Sequence, residues 1–222
     1  MGHALSLSAG IRRCYVVTMA TNTRPTTFTR MQDASRDDYQ IIEGELAGWN
    51  MGLADRVLTH LTLLAGESGG YGVDRLTHSV QSATRAERAG KDEEFVVCAL
   101  LHDIGDTLAS RNHSEMAATI LEPFVSEQNH WIVAHHGIFQ GYYFFHHLGL
   151  NRHMREQYKD SPYYRDTIEF CALYDQNCFD PDYENLDIDH FVPMVSRVFA
   201  QPKRSIYLRP PSNDCAADDE HL

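Results

Sequence analysis

ALLHDIGD, residues 99–106, runs an apolar stretch straight into a histidine–aspartate pair, His102 and Asp103, and then meets Gly105. Such a pair is an exposed accident, a helix-end cap, or two ligands on one metal. The flanking sequence separates these readings. KDEEFVVCALLHDIG (91–105) opens on acids, which suit a helix N-terminus, and stays apolar through Leu101, the pattern of a central buried helix. His102 and Asp103 therefore fall at the end of a helix that the rest of the chain surrounds.

Upstream, GLADRVLTHLTLLAG (52–66) repeats apolar residues at Leu53, Val57, Leu58, Leu61 and Leu64, a 3.6-residue stripe that Gly66 closes. VDRLTHSVQSATRAERAG (73–90) sets Leu76, Val80 and Ala83 on one face, with His78 on the same side. Downstream, SEMAATILEPF (114–124) and SEQNHWIVAHHG (126–137) each start at a serine suited to N-capping. SPYYRDTIEFCALYDQ (161–176) offers Ser161 as cap and Pro162 as first helical residue. IDHFVPMVSRVF (188–199) predicts a last helix, kinked or begun at Pro193. No alternating strand pattern and no repeat interrupts these segments, so the fold class is all-α. The expected organisation is a flexible arm over 1–35, one helical domain over 36–208, and a flexible acidic tail over 209–222. Met19 is an alternative start.

A chain of 222 residues suffices for one core. Its net charge of −12, with no basic run, argues against a nucleic-acid surface. No apolar stretch is long enough for a transmembrane helix, and the N-terminus lacks a signal-peptide pattern. The cysteines, Cys14, Cys98, Cys171, Cys178 and Cys215, are odd in number and fit neither a zinc site nor a disulfide ladder. They read as small buried hydrophobes, which points to a reducing cytoplasm.

Histidine is the unusual component. There are 13, nine of them between His78 and His153. His78 and His102–Asp103 lie on apolar helical faces, His113 opens the next helix, and His135–His136 fall on the one after. Asp175 sits inside the apolar run FCALYDQ, where an unpaired carboxylate is costly. Singly, each has an ordinary explanation: a hydrogen-bonded core histidine, an aspartate on a backbone amide, an aspartate paired with an arginine. Jointly they point to a metal site. A nitrogen and oxygen donor set without thiolates suits iron or manganese, and ligand type alone leaves zinc open.

The string H-x(23)-HD-x(71)-D around LLHDIG resembles the HD-domain superfamily of helical metalloproteins, over roughly residues 50–200. The resemblance implies a single helical bundle in which His78, His102, Asp103 and Asp175 are ligands. His113 and His136 would hold a second ion, with Asp103 bridging, and His135 would orient a neighbour. This six-residue set is similar to dinuclear HD phosphodiesterases and to the mixed-valence diiron oxygenases, which include myo-inositol oxygenase. LTHSVQSATRAERAG followed by ALLHDIG looks most like the short oxygenases that cleave 1-hydroxy-2-aminoethylphosphonates. What this implies is a cytoplasmic oxygenase with two iron ions (Fe(II)/Fe(III)) and O₂ as co-substrate. Its substrate would be a small hydroxylated molecule such as a 1-hydroxy-2-(alkyl)aminoethylphosphonate, broken at the C–P bond. The alternatives are an HD phosphohydrolase acting on a nucleotide or phosphate ester and an inactive metal-binding scaffold.

Some positions depart from that family. Asp106 follows HDIG where many relatives carry His or Lys, and a carboxylate there favours a cation or hydroxyl donor. Gln140 and Ala172 stand at positions that are basic in the aminophosphonate enzymes, leaving Arg152, Arg155, Lys159 or Arg165 as candidate cations. By analogy with a lid, Tyr71 or Glu67 in the loop ESGGYGVDR would close over the substrate. The rings of GYYFF (141–145), with Asp106, would suit a quaternary ammonium.

Overall fold

The computed structural model describes residues 25–66 and 68–208. Several helices begin at a local capping signal. Helix α1 (Arg36–Met51) starts at a capping box, in which Ser35 and Asp38 satisfy one another's backbone N–H groups. It buries no residue and flanks the domain. Helix α2 (Leu53–Leu61) buries Ala54, Val57, Leu58 and Leu61 and tightens into a 3₁₀ turn over Thr62–Leu64. A loop with three left-handed glycines, Gly66, Gly69 and Gly70, leads to α3 (Arg75–Arg88), capped by Asp74.

Helix α4 (Glu93–Leu101) is the axis of the bundle. Asp92 caps it, and Val96 to Leu101 are buried all the way round. Truncating Leu100 or Leu101 to alanine would cost about 2–5 kcal/mol in such a core. After a single-turn α5 (Asp106–Ala109) come α6 (His113–Leu121) and the long α7 (Glu127–Phe144). Then α8 (Tyr164–Phe170) runs into a π-helical turn over Cys171–Asp175, and α9 (Ile188–Phe199) packs back on α2 and α4. The described residues contain no strand, so the molecule is all-α.

Several boundaries differ from the sequence reading. Helix α6 starts at His113 rather than after Ser114, with Asn112 as an N-cap that makes no side-chain bond. Close packing fixes its entry instead: a Cβ on Gly105 would lie 2.5 Å from the His113 carbonyl oxygen. Helix α7 continues through Gly137, where a side chain would meet Ser114 Oγ at 2.7 Å, so the glycine serves the close packing of α6 on α7 rather than ending the helix. Ser161 and Pro162 lie in a turn before α8, and Pro193 is inside α9, whose cap is Asp187. Of the arm expected over 1–35, residues 25–35 are described and contain a 3₁₀ turn at Met31–Asp33. Cys98, Cys171 and Cys178 are buried free thiols; Cys14 and Cys215 lie outside the described residues. No described helix is long and apolar enough to cross a membrane.

Candidate metal centre

Helix α3 carries His78 one turn from its start, α4 ends at His102 and Asp103, α6 opens on His113, and α7 holds His136 mid-length. Asp175 closes the π turn, where the Gln176 N–H donates to the Cys171 carbonyl at 3.0 Å, an i to i+5 bond. Five elements thus deliver six side chains to one point. His78, His102, Asp103, His136 and Asp175 are all 3% exposed or less, while the His113 side chain is 23% exposed. The Phe170 ring lies against the edges of His102 and His136 and closes the apolar side.

The hydrogen-bond partners fix which nitrogen faces inward. Nδ1 of His78 meets the Cys178 carbonyl at 3.1 Å, Nδ1 of His102 the Ala99 carbonyl at 2.8 Å, and Nδ1 of His136 the Val133 carbonyl at 2.7 Å. A carbonyl oxygen only accepts, so each Nδ1 carries the hydrogen and each Nε2 presents a lone pair. Nδ1 of His113 faces the Asp106 carboxylate at 3.3 Å with the same result. The Nε2 atoms then oppose one another, at 3.1 Å for His78 and His102 and 3.2 Å for His113 and His136. Neutral imidazoles held so repel, lone pair against lone pair. A cation between them turns that repulsion into coordination, so the residues fit a metal.

Asp103 divides the set into two halves. Its Oδ2 lies 3.4 Å from His78 Nε2 and 3.6 Å from His102 Nε2, and its Oδ1 lies 3.3 Å from His136 Nε2 and 3.4 Å from His113 Nε2. Asp175 Oδ1 joins the first half, 3.4 Å from His78 Nε2, and Asp175 Oδ2 is buried without a partner. His78, His102 and Asp175, and likewise His102, Asp103 and His136, bring one donor atom each to within 4.8 Å of one another.

Electrostatics favour positive charge in this knot. Burial alone would raise the Asp103 and Asp175 carboxyls, but the surrounding imidazoles, joined by Arg75 at Asp103, hold both well below the usual carboxylate range. Burial pushes the His78 and His102 imidazoles down, and the two carboxylates outweigh it and draw them up. On the more open side burial prevails, and His113 is lowered.

The remaining candidates fall in different places. His135 stacks on Trp131 with centroids 3.8 Å apart and turns its Nδ1 to the Trp131 carbonyl, so His136 is the member of the pair brought to the cluster. Asp106 is not a free carboxylate: Arg75 Nε donates to it at 2.7 Å and His113 leans on its other oxygen. The cation that a carboxylate at this position favours is thus present within the chain, in Arg75. Tyr71 is 52% exposed and stacks on Phe179, which stacks on His78. Glu67 lies outside the described residues. Arg152 and Arg155 sit over the Tyr142 ring at 4.2 and 3.8 Å, so that ring already holds two cations and is not open to an ammonium ligand. Lys159 and Arg165 are exposed. Gln140 donates to Asp175 Oδ1 at 2.9 Å. The sequence reading missed Arg75, the Cys178 carbonyl and Phe179. Only Arg75 had a signal, standing three residues before His78 on the same helical face.

This two-sided cluster of histidines and aspartates on a helical bundle defines a class, and residues 75–170 match the HD domain family. Domains of that family bind metals, and the match covers a little under half of the chain. Within it, similarity runs to the phosphonate oxygenase branch: the chain is 41% identical over 66 residues to the [1-hydroxy-2-(trimethylamino)ethyl]phosphonate dioxygenase (glycine-betaine-forming) of Leisingera caerulea. That match covers 25% of this chain and 34% of the relative, so it spans about a third of the length of that protein.

Proposed function

We propose that this protein is a diiron oxygenase that uses O₂ to cleave a small hydroxylated phosphonate bearing an ammonium group. The observation that carries this reading is Asp103, with one oxygen toward His78 and His102 and the other toward His113 and His136. A nitrogen-rich donor set with two carboxylates suits iron, and a relative that acts on a hydroxylated trimethylammonium phosphonate supplies the substrate class. Buried free thiols support a reducing, cytoplasmic setting.

When bound, the ions would supply Lewis acidity toward a substrate hydroxyl and one-electron chemistry toward O₂. The side chains hold, orient and exclude. His78, His102 and Asp175 form one half and His113 and His136 the other, with Asp103 shared. The carbonyls of Cys178, Ala99 and Val133 keep three Nδ1 protons in place, so three Nε2 lone pairs stay available without adjustment. Phe170 keeps water from the buried side, and Phe179 with Tyr71 covers the His78 ring.

The test is the low-temperature EPR spectrum of iron-loaded protein, reduced mildly and exposed briefly to air. An axial half-integer signal that changes shape with a hydroxyphosphonate, together with O₂-dependent phosphate release, is the expected result. Hydrolysis of phosphate esters without O₂, on manganese or zinc, would replace this reading with that of a phosphohydrolase.

A further inference from the structure

A cavity of about 640 Å³ opens between the 3₁₀ turn and loop before α3 on one side and α5 on the other. Its wall includes Leu64, Ser68, Tyr71, Arg75, Asp106 and Ser110. Two of these reach the metal centre directly. Arg75 Nη1 lies 3.5 Å from the Oδ2 atom of Asp103, and Asp106 Oδ1 lies 3.3 Å from His113 Nδ1. A second cavity, beside the start of α4, has a mainly acidic wall of Asp92, Glu93, Glu94, Asp166 and Glu169 with Lys91, and contains none of the six clustered residues.

The chemistry of the cavity wall is that of a donor surface. Among the described residues Arg75 is the one cation in it, and Ser68, Thr107, Ser110 and Tyr71 add hydroxyls. Among the described residues its one carboxylate, Asp106, is already matched by Arg75 Nε at 2.7 Å and by His113, so Asp106 opposes an incoming anion little. Beside Asp175 itself stand Gln140, which donates to its Oδ1, and Ala172 of the same π turn, neither of them a cation. A guanidinium presents planar, forked donors suited to oxyanions.

We propose that this cavity is the substrate's way to the metal centre and that Arg75, at its inner end, receives the substrate's phosphonate oxyanion. Arg75 has a second duty in the same geometry. It fixes Asp106, which fixes His113, so the arrival of an anion on the guanidinium is felt one side chain from the more open half of the centre. The proposal rests on the reading of the cluster as the reaction site, but not on which reaction occurs there.

The experiment is calorimetric titration of methylphosphonate into the metal-loaded full chain, with metal content and melting temperature measured on each variant. Ser110→Trp, on an exposed residue, fills the cavity without touching the metal centre. Arg75→Gln removes the charge and Arg75→Lys keeps it without the fork. The expected result is binding weakened about tenfold or more by Ser110→Trp and by Arg75→Gln, and less by Arg75→Lys, with metal retained in Ser110→Trp. Unchanged affinity in Ser110→Trp and Ser68→Trp, or no binding by the parent protein, overturns it. If affinity depends on Arg75 and Ser110 but O₂ is never consumed, the oxygenase reading fails and the anion site stands. If turnover with O₂ proceeds unaffected by the filled cavity, the reverse holds.

Discussion

The His78–His102–Asp175 side of Asp103 and its His113–His136 side use the same chemistry but are held by different means. On the first side both imidazoles are at most 1% exposed, and their outer nitrogens rest on main-chain carbonyls of Cys178 and Ala99. On the second, His113 is 23% exposed and rests on the carboxylate of Asp106, itself tied to Arg75 at the wall of an open cavity. A carbonyl cannot be protonated at ordinary pH or replaced by a side-chain substitution, whereas a carboxylate can be both. Both imidazoles of one half are thus built into the backbone, whereas the other half is so only at His136, on the Val133 carbonyl, and is adjustable at His113, which faces the solvent route.

Asp103→Ala should erase the distinction by disabling both halves. Iron content should fall to near zero and O₂-dependent activity by about three orders of magnitude or more, read by metal analysis and O₂ uptake. His113→Ala should separate the halves: about half of the iron stays, the coupled EPR signal disappears, and activity falls about a hundredfold. Asp106→Asn should sharpen the contrast further, weakening retention of one ion about 10–100-fold in a chelator titration while the other is unaffected. Equal loss of both ions in that variant would show that the halves are not held independently.

The smallest effect lies outside the centre. Glu94 accepts from the Ser126 and Asn129 amides at 2.5 and 2.8 Å and pairs with Lys203, joining the start of α4 to the cap of α7. Burial would raise its carboxyl, but Lys203 and these amides outweigh it, and the folded-state pKa lies below the ordinary glutamate value. A depressed folded pKa adds stability above the unfolded pKa, and that stability is lost as pH falls through the folded one. Glu94→Gln should therefore lower stability by about 1–2 kcal/mol at neutral pH and by little in acid, with metal content unchanged.

Much of the bundle was legible because α2 and α3 carry their burial as periodicity, α4 as an unbroken apolar run, and α7 its cap as Ser126. The six clustered residues were found as polar groups on apolar faces, a local conflict that a metal relieves. What stayed hidden was made by contacts between distant residues. Nothing in the local sequence at Asn112 marks the start of α6, because Gly105 packing on His113 sets it. The pairing of Arg75 with Asp106 spans 31 residues, and that of His78 with Cys178 spans 100 and uses a backbone atom with no side-chain signature. Tyr142 of GYYFF was legible as aromatic but not as already engaged, since Arg152 and Arg155 reach it from the following segment.

The π turn at Cys171–Asp175 carries one residue more than a regular helix needs. Deleting Ala172 would restore the regular hydrogen-bond ladder while rotating Asp175 by about 100° about the helix axis, away from His78 and His102. An edit that perfects this helix would therefore take Asp175 out of the cluster, and under the proposed function the irregularity is where folding yields to ligation.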